Sequence, residues 1–157
     1  LSKVERFEEK RTMKKRIFIT TFFLAALFNF VSCDDDKDLA SSDVPKAVEQ
    51  TFSSMFEGVY PQWELENKLY KAEFFQDGHE MEAWFKSDGS WTHTYTDIYQ
   101  NELPEKVTSY VSAKYAGYRI DDSKFVKTPS TEYYQLELEK NGKRDKFLHL
   151  TADGQEL

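Results

Sequence analysis

Two stretches of this chain superpose at a constant offset of 59 residues: Val44-Pro45-Lys46-Ala47-Val48 through Phe56-Glu57-Gly58, and Leu103-Pro104-Glu105-Lys106-Val107 through Tyr115-Ala116-Gly117. In the first, Val44, Val48, Phe52, Met55 and Phe56 share one helical face; in the second, Leu103, Val107, Val111 and Tyr115 do the same. Each spacing predicts an amphipathic helix of about three turns. Asp43 and Glu102 place negative charge at the N-termini, a proline stands in each first turn, and Gly58 and Gly117 are positioned to close each helix in a left-handed conformation.

Beyond each helix the hydrophobic period changes from near 4 to near 2. Tyr70-Lys71-Ala72-Glu73-Phe74 alternates, as does Tyr134-Gln135-Leu136-Glu137-Leu138-Glu139. Asp77-Gly78 and Asn141-Gly142 supply tight hairpin turns, because both dipeptides tolerate positive φ at little cost. Second strands are expected over Glu80 to Lys86 and Lys143 to Thr151, followed by Asp88-Gly89 and Asp153-Gly154. A third strand is expected from Trp91 to Tyr99, with no equally long counterpart before Leu157, and short extended pieces at Gln62 to Leu65 and Lys124 to Lys127.

Tyr60-Pro61, Leu103-Pro104-Glu105-Lys106-Val107, Tyr133-Tyr134-Gln135-Leu136-Glu137-Leu138 and the two Asp-Gly turns, taken in order, resemble the PepSY-like, or β-lactamase-inhibitor-like, lipoproteins of Bacteroidetes. The resemblance runs from Asp43 to Glu156; Ala116-Gly117-Tyr118 departs from it where the first copy has Tyr60-Pro61. It implies an α+β fold of two tandem helix-plus-antiparallel-strand repeats, residues 43–100 and 101–157, with helices packed on one face of a β-sheet. It also implies a secreted or lipid-anchored protein, and it carries no catalytic residues to transfer.

The front of the chain reads as an export signal. Lys14, Lys15 and Arg16 precede an apolar run from Ile17 to Val31, followed by Ser32 and Cys33. Fifteen residues are short for a bilayer core of ~30 Å, which takes about 20 as a helix. Met13 begins the signal, so residues 1–12 read as an over-extended start and 13–33 as the signal peptide. Phe30-Val31-Ser32-Cys33 resembles a relaxed lipobox, which would make Cys33 the lipid-modified first residue of the mature chain, touching the membrane only through that lipid. The acidic run Asp34 to Asp38 opens a tether over residues 34–42 and resembles a surface-export signal. The expected location is therefore across the inner membrane and lipid-anchored in the outer membrane, on its periplasmic or cell-surface side.

Past Cys33 the chain carries 14 basic and 25 acidic residues, a net of −11, which argues against nucleic acid as a partner. A single cysteine excludes an internal disulfide and any site built from paired cysteines. The three histidines, His79, His93 and His149, lie on different segments without ligand spacing, and His79-Glu80 neighbours on a strand point to opposite faces. No nucleophile elbow, metalloprotease helix or phosphate loop is present. The reading is therefore of a non-enzyme with no cofactor and no metal.

What remains is surface. Ala83 and Phe85 share one strand face and Glu82 and Trp84 the other, while Leu148 and Leu150 share one and Phe147 and His149 the other. If the helices cover the first set, Glu82, Trp84, Phe147 and His149 form an uncovered partner-binding face. The reverse assignment, with Trp84 and Phe147 in the core, reads the same alternation from the other side. The expected function is binding of an envelope protein or peptide through the open sheet face, inhibition of an envelope enzyme included. The alternative is a small-ligand or sensory domain with a groove between repeats.

Overall fold

The computed structural model describes residues 37–157. The expected start segment, signal peptide and Cys33 lie outside the described residues. Among these residues eight strands, β1 (Lys37–Leu39), β2 (Gln62–Glu66), β3 (Leu69–Gln76), β4 (His79–Phe85), β5 (Trp91–Asp97), β6 (Arg119–Lys127), β7 (Glu132–Glu139) and β8 (Lys146–Leu150), follow one another across one antiparallel sheet in chain order. Two ten-residue helices, α1 (Lys46–Met55) and α2 (Glu105–Lys114), interrupt the meander after β1 and after β5.

The architecture corrects the expectation of two tandem helix-plus-strand repeats. Thr94, Tyr95, Thr96 and Asp97 of β5 pair with Lys127, Val126, Phe125 and Lys124 of β6, so strands from both halves belong to one continuous sheet. Separate units would each leave a strand edge exposed at this seam, and pairing satisfies those backbone groups. Further hydrogen bonds reinforce the seam: the Ser123 hydroxyl donates to the Ile98 carbonyl at 2.9 Å, and the Ile98 amide donates to the Ser123 carbonyl at 3.0 Å.

Local chemistry explains the turns. Asn67 and Lys68, between β2 and β3, both take positive φ, 50° and 66°, and form the kind of two-residue hairpin whose twist matches that of the flanking strands. Asp77 and Gly78 do the same between β3 and β4. Gly89 and Gly154 have a further role. A Cβ on Gly89 would lie 2.7 Å from the Ala47 carbonyl oxygen, and one on Gly154 would lie 2.6 Å from that of Lys106. Each turn therefore rests directly on the first turn of a helix, an approach that only glycine permits.

Cross-strand register places the core. Trp63, Ala72 and Ala83 lie in one row, with Phe74, Phe85, Leu136, Leu148 and Leu150 on the same face of the sheet. Val48 and Phe52 of α1 join the first of these residues in an aromatic cluster, and Val107 and Val111 of α2 join the leucines in an aliphatic one. Both helices thus bury their apolar stripes against the same sheet face, which leaves the alternate residues of the strands on the other. The segment expected to be a tether includes β1, which pairs with β2 as an edge strand.

Candidate functional site: the open sheet face

The face opposite the helices carries three rows of side chains set by strand register. One row runs Glu64, Lys71, Trp84, His93; the next Glu73, Glu82, Tyr95, Val126, Tyr133; the third brings Asp97, Lys124, Gln135 and His149 into line. A bulge shapes the first row. Trp84 pairs with His93 but Phe85 with Trp91, so Thr92 is an extra residue, and its hydroxyl donates to the Trp84 carbonyl at 3.0 Å.

The aromatic side chains form a connected stripe. The rings of Trp84 and His93 stack with centres 5.4 Å apart and planes 18° apart, and His93 meets the edge of Tyr95 at 4.8 Å. Tyr133 contacts His149 at 4.9 Å, and Val126 lies buried between Tyr95 and Tyr133 in its row. Burial pulls the His93 imidazole below its ordinary pKa, which favours the neutral ring. Burial raises the Tyr95 phenol, helped by Tyr133 and Glu82 and opposed by Lys124.

Two lysines brace the stripe. Lys71 Nζ contacts Glu64 at 2.5 Å and Glu73 at 2.9 Å while lying 5.6 Å from the Trp84 ring centre. Burial alone would lower its pKa, but hydrogen bonds to Glu64 and Glu73 outweigh that and hold it above the usual lysine range. Lys124 pairs with Asp97 at 2.9 Å and sits 5.7 Å from the Tyr95 ring centre. Its pKa is also raised, burial being outweighed by Asp97. Glu82 differs from these partnered groups: burial raises its carboxyl above the ordinary range, with Lys124 and Lys71 opposing and Glu73 and Asp97 reinforcing the shift.

The four residues singled out from the sequence all fall on this face. Glu82 and Trp84 are near neighbours on β4; Phe147 and His149 are near neighbours on β8, with Phe147 66% exposed. Three strands separate the pairs, roughly 19 Å at the usual strand spacing, so they do not touch. Residues between them, chiefly His93, Tyr95, Lys124 and Tyr133, join the two ends. Sequence reading misses these as members of the face. The alternation of Trp91 to Asp97 is a visible signal, but the bulge at Thr92 inverts its phase.

Elsewhere, His79 holds the connection between β5 and α2: its Nδ1 lies 2.8 Å from the Asp97 carbonyl oxygen and its Nε2 3.2 Å from the Glu102 carboxylate. Among the described residues no group of three His, Cys, Asp or Glu is arranged to hold a metal ion. A pocket of about 470 Å³, lined by Val111, Tyr115, Tyr118 and Arg119 among others, lies between α2 and the start of β6. No helix of the described residues is long and apolar enough to cross a membrane.

Solved structures share this architecture. A DUF2874 family protein from Bacteroides ovatus is 25% identical, with a TM-score of 0.65 over 72% of this chain and 84% of its own. A BLIP-like protein from Bacteroides fragilis is 23% identical, with a TM-score of 0.66 over 72% and 83%. A protein of Bacteroides eggerthii called "putative periplasmic" is 21% identical, with a TM-score of 0.67 over 73% and 86%. No curated protein matches the chain. The family model described as "Putative beta-lactamase-inhibitor-like, PepSY-like" matches residues 68–155, more than half of the sequence and all strands from β3 to β8, and the chain belongs to that family.

Proposed function

We propose that this protein is a non-catalytic binding protein of the cell envelope, engaging a protein or peptide through the open sheet face, with enzyme inhibition as one form of that engagement. The observation that carries this reading is the aromatic stripe from Trp84 through His93 and Tyr95, held on the face that neither helix covers. Rigid aromatic side chains supply contact area at little entropic cost, which suits them to protein interfaces. The family description and the BLIP-like relative support an inhibitor-like role, and the Bacteroides eggerthii relative supports a periplasmic setting. Cys33 is the lipid attachment point in this reading, and intact mass of the membrane-fraction protein checks it: a chain retaining Met13 overturns the anchor.

A photo-crosslinker placed at position 84 in cells tests the binding face. An adduct with one envelope protein is expected, and absent when the crosslinker is placed at Glu57, beyond the end of α1. Trp84→Ala then weakens the purified pair by at least ~2 kcal/mol. Adducts from Tyr115 but none from position 84 would instead favour a ligand at the pocket beside α2.

A further inference from the structure

We propose that Glu82 is the receptor for a cationic side chain, an arginine guanidinium above all, presented by a basic protein partner that docks on the open face. This deepens the binding reading given above and rests on it. The charges around it are already paired. Lys71 serves Glu64 and Glu73, and Lys124 serves Asp97. Glu82, half-buried between Glu73 and Tyr95 in its row, forms no hydrogen bond or ion pair among the described residues. A carboxylate partly withdrawn from water without a hydrogen-bonded partner opposes folding, and burial raises its pKa against the pull of Lys124 and Lys71.

Its neighbour on the same strand face carries a second unmet group. The Trp84 indole N–H is buried and has no acceptor among the described residues. That group is a donor and a guanidinium has only donors, so the indole N–H is no part of the cation site and serves as a reporter two residues along the strand from Glu82.

The surroundings define that partner. A planar cation reaching Glu82 arrives beside Trp84 and Tyr95, whose rings already meet His93 and are approached by Lys71 and Lys124, so recognition there rests on the two-pronged pairing of a guanidinium with the carboxylate. A lysine ammonium offers the charge without the planar fork. The chain past Cys33 carries a net charge of −11, so a basic partner is also drawn in at long range.

The test uses the full chain in detergent with nona-arginine, nona-lysine and a neutral nonapeptide as probes. Glu82→Gln is expected to weaken nona-arginine at least about tenfold, whereas Glu57→Gln, an equal change of charge away from the face, changes it less than about twofold. Nona-arginine should bind more tightly than nona-lysine and shift the Trp84 indole N–H resonance, identified by its loss in Trp84→Phe. Equal losses from Glu82→Gln and Glu57→Gln mean diffuse attraction and overturn the proposal, as does nona-arginine binding no better than the neutral peptide. If Trp84→Ala abolishes binding of the crosslinked envelope partner while Glu82→Gln leaves it intact, the binding face stands and the cation site falls.

Discussion

The two faces of this sheet are made by alternate residues of the same strands, yet they obey different rules. Under the helices, Phe52 meets Phe74 edge-on at 5.2 Å and Phe85 at 6.3 Å, and the second half packs leucines on valines with no ring among its buried residues. The large side chains there are held chiefly by contact. On the open face, rings are interleaved with charges, and burial is only partial for Trp84, His93 and Tyr95. Polar groups there are paired where lysines reach them, and among the described residues Glu82 has no such partner. One face is organised to hold the fold, and the other keeps groups that folding does not need.

The largest effect expected from that contrast separates adjacent residues of β4. Phe85→Ala removes a ring with no exposed surface and should cost about 3–5 kcal/mol, whereas Trp84→Ala loses one stacked partner and a lysine contact and should cost about 1–2 kcal/mol. Urea midpoints of the two variants, measured side by side, decide it; equal losses would make Trp84 part of the core.

A middle-sized effect asks whether both helices are seated in the same way. Gly89→Ala and Gly154→Ala each force a methyl group against a helix carbonyl at positive φ, so each should destabilise by about 1–3 kcal/mol. Thermal unfolding of both variants checks this, and a neutral Gly154→Ala would show that the turn after β8 moves away from α2 freely.

The smallest effect has the opposite sign. Because burial raises the folded-state pKa of Glu82 above its ordinary value of 4.5, the folded protein is penalised as pH rises through that value, and the penalty is complete above the folded pKa. Glu82→Gln should therefore stabilise at pH 7 by ~0.5 kcal/mol, a gain that disappears below pH 4.5. Chemical denaturation at about pH 7 and about pH 4 reads the difference; a destabilised variant at the higher pH would mean that Glu82 has a partner within the fold.

Several features follow from local sequence because their causes are local. The periodicity of Val48 and Phe52, and of Val107 and Val111, finds α1 and α2; alternation finds β3 and β7; Asp77-Gly78 marks its hairpin through backbone freedom at positive φ. The pairing of β5 with β6 has no such local cause. It joins residues about thirty positions apart across α2, and its register depends on seating both helices against one face of the sheet. The same holds for the site. Sequence alternation alone sorts Glu82 from Ala83 and Phe147 from Leu148, because side chains alternate on any strand. Only the tertiary structure inserts His93, Tyr95, Lys124 and Tyr133 between them, since a bulge at Thr92 and a seam between distant strands decide which residues become neighbours.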